Sequence, residues 1–216
     1  MNFSSSCHLI LRKPNRRMDC LLSLLAAFTV MVAGASPRAA IADQTSADEP
    51  RADALEGWRR VGSPAWRFDS TGVEAGPEDV AAYLVSNEDF GDFRLAVEYW
   101  VEADTNSGVF VRCGLVADLD DINPDNCYEI NIWDEHPNQD YRTGSIVTHV
   151  VPRGKVESLG QWNRLEITAE GPSISVSVNG EVTAELERAR SAPGPLALQY
   201  AGKGLLRFRN FEVEQR

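Results

Sequence analysis

Between Asp92 and Gly144 six polar residues interrupt apolar runs: Glu98, Asn106, Arg112, Glu129, Asn131 and Asp134. The runs read DFRLAVEYW, NSGVFVRC and CYEINIWD, followed by RTGSI. A charge among apolar neighbours is costly unless it is paired or used. Glu129, between Tyr128 and Ile130, has neighbours that raise a carboxyl's pKa, which suits a general base. Arg112 offers a planar, permanently charged fork for substrate oxygens or an oxyanion. The same two residues also suit a plain structural ion pair, and both readings stand at this point. Asn131 and Trp133 share the face of Glu129 by strand alternation. The first can bind a hydroxyl, and the second can stack on a ring or fill a core. Asp134 follows the strand, where it can orient Arg112, hold a hydroxyl or cap the turn. His149 is a candidate acid in an expected strand over 146–150; the other histidine past residue 42 is His136. Glu98 is a candidate to line the same cleft, and Asn106-Ser107-Gly108 reads as a strand entry with a tight backbone.

The elements that must position these groups are strands. Phe93, Leu95, Val97, Tyr99 and Val101 alternate with Arg94, Ala96, Glu98 and Trp100, a period of two. Similar runs cover 107–113, 127–133, 145–151, 165–169, 174–178, 181–186, 196–200 and 206–214, with shorter ones from Trp58 onward. Asn179-Gly180 between two alternating runs marks a tight hairpin, since both types tolerate positive φ. No run sustains a helical period, although Ala184–Arg190 has room for a turn or two. Some eleven to thirteen short strands with regular turn signals predict an all-β, two-sheet antiparallel jelly-roll sandwich. The register around the candidates stays open. If Cys113 faces Cys127 in a plain ladder, Arg112 stands opposite Tyr128, and Glu129 opposite Val111 on the other face. A one-residue bulge instead brings Arg112 and Glu129 together.

The N-terminus reads as an address. Arg12, Lys13, Arg16 and Arg17 precede an apolar run over 21–33, and Ala40-Ile41-Ala42 supplies a small-residue cleavage pattern. Residues 1–42 are therefore expected to be a signal peptide, 43–56 a flexible leader, and 57–216 one domain with no membrane span after cleavage. The expected destination is periplasmic or extracellular. Residues 1–42 hold five of the 21 basic and one of the 32 acidic residues, which leaves 16 against 31, a net charge of −15. Such a surface repels nucleic acid. Of the four cysteines, Cys113 and Cys127 lie beyond the signal peptide, and export favours a disulfide between them. No metal site is expected. Asp118, Asp120 and Glu129 fall on the first, third and twelfth positions of a calcium loop, but Ile122 and Asn123 break it. A calcium site of another kind stays open, no cofactor is predicted, and a metal requirement cannot be read.

Several segments, in order, resemble one family: GDFRLAVEYW, NSGVFVRC, YEINIWD, TGSI, GQWNRLEITAEGPSISVSVNGEV, and PLALQY with LLRFRNFEV. The stretch from about Trp58 to Val213 is similar to the 3-keto-disaccharide hydrolases, also described as 3-keto-glucoside lyases and hydratases, on a concanavalin A-like fold. The resemblance implies action on a saccharide oxidised at C3. The ketone acidifies the C2 proton, a base removes it, and the C1 substituent leaves. Water then adds to the intermediate, giving net hydrolysis. Such chemistry needs a base, an enolate stabiliser and an acid. The resemblance implies Glu129 for the base and matches Glu98, Asn106 and Asp134 to family positions. A non-catalytic carbohydrate-binding module on the same fold is the alternative.

Overall fold

A computed structural model describes residues 58–216. The expected signal peptide over 1–42 and leader over 43–56 lie outside the described residues. Twelve strands follow in order: β1 Trp58–Gly62, β2 Trp66–Phe68, β3 Gly72–Ala75, β4 Glu78–Phe90, β5 Phe93–Val101, β6 Thr105–Val111, β7 Tyr128–Ile132, β8 Trp162–Glu170, β9 Ser173–Val178, β10 Glu181–Leu186, β11 Gly194–Gly202 and β12 Leu206–Gln215. All their pairings are antiparallel. One sheet runs β1-β4-β11-β6-β7 and the other β10-β9-β8-β5-β12-β3-β2, the expected jelly-roll sandwich. Among the described residues no helix is long and apolar enough to cross a membrane.

Alternation decides what each strand buries. Phe93, Leu95, Val97, Tyr99 and Val101 of β5 point between the sheets, where they meet Leu165 and Ile167 of β8 and Tyr128, Ile130 and Ile132 of β7. Burying each such side chain contributes about 1.5–3 kcal/mol. The hairpin at Asn179-Gly180 forms as expected, with φ of 53° and 84°. Its Asn179 accepts from Arg164 N at 2.9 Å through Oδ1 and donates to Asn163 Oδ1 at 2.9 Å, which ties the turn to β8.

Two local expectations are corrected. Residues 145–151 do not form a strand. They make a turn between two bridge residues, Ile146 and Val150, with Thr148 at φ 65°. The chain from Ala184 to Arg190 makes no helical turn; residues 184–186 end β10, and residues 187–190 are irregular. A β-bulge between Val182 and Ala184 lets Thr183 and Ala184 both turn inward.

Candidate functional site

The five-stranded sheet has a second, outward face with its own apolar cluster, built on Tyr83 and Val85 of β4, Phe110 of β6 and Ala197 of β11. The loop after β6 folds back over part of this face. Val116 and Ile122 pack on it, and the Cys113–Cys127 disulfide closes the loop at its base. The register lines up two rows across the face. One row is Val85, Ala197, Phe110 and Glu129; the next is Tyr83, Gln199, Gly108 and Asn131.

Glu129 ends the first row and leans over the second. It lies against Gly108: a Cβ there would stand 3.5 Å from both Cγ and Oε1 of Glu129, in contact, and a tight 3.1 Å from the Ile130 carbonyl oxygen. Glu129 is only 9% exposed. Among the described residues no ion pair or hydrogen bond compensates its carboxylate, and burial alone pushes its pKa up to about 7. A carboxyl in that state can take a proton near neutral pH. The NSG segment thus divides its work: Gly108 lies under the Glu129 side chain, Ser107 Oγ donates to the Gln199 carbonyl at 2.7 Å and locks β6 to β11, and half-buried Asn106 stands opposite Ala201.

Arg112 does not join Glu129. The ladder pairs Val111 with Tyr128 and Phe110 with Glu129, one residue away from the register set by facing cysteines. Arg112 then leaves the strand in a left-handed conformation, φ 49°. Its fully buried side chain donates to Gly91 O at 3.3 Å, Gly171 O at 2.5 Å and Arg190 O at 2.9 Å, and pairs with Asp92 at 3.0 Å. It ties three loops together, with neither an ion pair to Glu129 nor a free fork for substrate.

The other candidates separate in the same way. Asp134 is a buried latch, accepting from Thr143 Oγ1, from Ser158 N at 2.6 Å and from Ser158 Oγ at 2.9 Å. Asn131 shares Glu129's face, but its amide holds the Tyr141 carbonyl and Ile132 N. Glu98 lies on the outer face of the seven-stranded sheet, paired with Arg209 at 2.6 Å, on the far side of the sandwich from Glu129. It lines no cleft with it. His149 sits in the exposed turn with its ring 5.0 Å from Tyr128, whose side chain turns away from Glu129 across β7. Trp133 is half-buried just past β7, edge-on to His136 at 4.5 Å, and His136 is edge-on to Tyr141 at 5.6 Å. In the acidic loop, Asp118 and Asp121 serve as reciprocal caps of the short turn Leu119–Asp121.

Two residues of the second row were missed. Tyr83 and Gln199 are both buried, and Gln199 Nε2 donates to Tyr83 Oη at 2.9 Å. Gln199 interrupts the run Leu196-Ala197-Leu198, the same signal that singled out Glu129.

The fold recurs in solved structures. A candidate glycosyl hydrolase from Parabacteroides distasonis is 21% identical, with a TM-score of 0.58 over 74% of this chain and 99% of its own. A second from that organism is 15% identical, with a TM-score of 0.65 over 74% and 89%. A carbohydrate binding module from Bacillus subtilis is 15% identical, with a TM-score of 0.56 over 74% and 96%. No curated protein matches the chain. The model of the 3-keto-alpha-glucoside-1,2-lyase-like domain matches residues 51–214, and the chain belongs to that family.

Proposed function

We propose that this domain is an exported enzyme that cleaves glycosides oxidised at C3, with Glu129 as the base. One observation carries the reading: a buried carboxyl with no compensating partner among the described residues, raised to about 7, on an outward sheet face. The family is that of the 3-keto-alpha-glucoside-1,2-lyase-like domain, and the fold is shared with candidate glycosyl hydrolases. Glu129 takes the C2 proton, and the electron pair moves into the enolate of the C3 ketone. The enolate then expels the C1 oxygen, which leaves with a proton, and water adds to the unsaturated sugar. The disulfide suits an oxidising compartment, in keeping with export to the periplasm or beyond.

The second reading is a sugar-binding module without chemistry. The Trp133, His136 and Tyr141 rings after β7 favour it, as does the shared fold with a carbohydrate binding module. Purified residues 43–216 incubated with a chromogenic 3-keto-glucoside, beside Glu129→Gln, separate the two. Release by the wild type and its loss in the variant support elimination. Sugar binding by calorimetry with no release moves the function to the binding module.

A further inference from the structure

Tyr83 and Gln199 are cross-strand partners on β4 and β11, and Gln199 also stands opposite Gly108 of β6. Tyr83 is 5% exposed and Gln199 7%. The phenol oxygen accepts from Gln199 Nε2, so the Tyr83 hydrogen remains available to a further acceptor. Gln199 Oε1 is buried and has no partner among the described residues. An unpaired buried amide oxygen loses its hydration with nothing in return, which calls for an explanation in a settled core. Gln199 stands opposite Gly108, and Glu129 leans over that same glycine, its carboxyl 3.5 Å from where a Cβ would stand, which brings the base to the row that holds both groups. Burial raises the Tyr83 pKa; the Gln199 bond opposes this and the Glu129 charge reinforces it, so the phenol keeps its proton.

We infer that Tyr83 and Gln199 form a donor–acceptor pair that reads an α-hydroxyketone, the phenol donating to the ketone oxygen and the Gln199 amide oxygen accepting from the adjacent hydroxyl. The inference rests on the reading of Glu129 as base. As Glu129 takes the C2 proton, the C–H electron pair forms the C2–C3 double bond and negative charge gathers on the ketone oxygen. The Tyr83 hydrogen bond strengthens there without passing its proton across. The ketone then re-forms, the C1–C2 double bond appears, and the C1–O bond breaks. The departing alkoxide takes a proton from water, and the proton on Glu129 neutralises the hydroxide left behind. Tyr83 supplies the enolate stabilisation for which Arg112 is misplaced, and Gln199 both positions the phenol and selects for the neighbouring hydroxyl.

The test uses the 3-keto derivative of 1,5-anhydroglucitol, which has no leaving group, so exchange of its C2 hydrogen in heavy water reports proton removal alone. Exchange is followed by NMR, and each variant's melting temperature is recorded beside it. Tyr83→Phe is expected to slow C2 exchange about 10²–10³-fold, the usual loss on removing one such donor, and to melt somewhat earlier because Gln199 Nε2 loses its buried acceptor. Gln199→Met is expected to raise KM about tenfold, the worth of one hydrogen bond. A Tyr83→Phe rate within threefold of wild type, with Glu129→Gln inactive, overturns this inference and leaves the base in place. If Tyr83→Phe does not fold, Gln199→Met decides: an unchanged KM overturns the pair. A wild type that neither exchanges C2 nor releases the chromogenic leaving group sinks the reading of Glu129, and this inference with it.

Discussion

Glu129 lies over Gly108, so that a single Cβ on the glycine would stand 3.5 Å from the Glu129 carboxyl and 3.1 Å from the Ile130 carbonyl oxygen. A branched side chain at 108 would reach past that contact into the position the carboxyl occupies. Gly108→Val should therefore displace the carboxyl. The expected outcome is at least a hundredfold loss in kcat/KM, against a stability loss of about 1–3 kcal/mol from overpacking. Urea unfolding beside the chromogenic assay checks both. A variant that loses only stability would show that the space over Gly108 is not where substrate sits.

The raised carboxyl ties stability to pH. Glu129 moves from an ordinary 4.5 to about 7 on folding, so between those values the folded state holds a proton that the unfolded state has released. Stability from this group is fully present below pH 4.5 and is lost as pH rises through 7. The cost at pH 8 is on the order of 3 kcal/mol. Glu129→Gln should be more stable than wild type at pH 8 by up to about that amount, with little difference near pH 4. Catalysis runs the opposite way: the base works only when ionised, so kcat/KM should rise with pH through a midpoint near 7. Denaturant titrations at the two pH values, together with a pH–rate profile, measure both.

Arg112 separates folding from chemistry. Its buried guanidinium joins Gly91, Asp92, Gly171 and Arg190, and none of these belongs to the Glu129 rows. Arg112→Met should cost about 3 kcal/mol, since Asp92 and three carbonyls lose their partner. In the fraction that remains folded, kcat should stay within a few-fold of wild type. A hundredfold fall in kcat without loss of stability would return Arg112 to the chemistry.

The strand pattern was legible because alternation is local. β5, and the β9–β10 hairpin with its Asn179-Gly180 turn, follow from neighbouring residues alone. Glu129 was legible for the same reason, as a charge inside an apolar strand. The company it keeps was not. Tyr83, Gln199, Gly108 and Asn131 form a row only because β4, β11, β6 and β7 are neighbours in the sheet, an order that no local pattern encodes. Arg112 was misplaced because a one-residue difference in register and a positive φ redirect its side chain. Asp134 and Asn131 looked available because nothing local reveals Thr143, Ser158 and the Tyr141 carbonyl as their partners.

Asp134 makes that distinction testable. It accepts three hydrogen bonds in a buried site between the loop after β7 and the segment before β8. Asp134→Ala strands the Ser158 amide and two hydroxyls, which should cost about 3 kcal/mol. Thermal melting should show that loss, while KM for a 3-keto-glucoside in the folded protein should move less than threefold. A large rise in KM at unchanged melting temperature would place Asp134 against substrate.

The disulfide should control the chemistry through the loop it closes. Cys113 and Cys127 bound the segment whose Val116 and Ile122 pack on the cluster of Tyr83, Phe110 and Ala197, three members of the Glu129 rows. Replacing both cysteines with alanine removes a constraint worth about 3 kcal/mol for a loop of this length. It also frees the loop to admit water onto this face. Glu129 owes its raised pKa to burial alone, so solvating the face should lower it. The double variant is therefore expected to shift the midpoint of its pH–rate profile from near 7 toward 4.5, in addition to melting earlier. A less stable variant whose midpoint stays near 7 would show that the sheet, and not the loop, keeps water from the carboxyl.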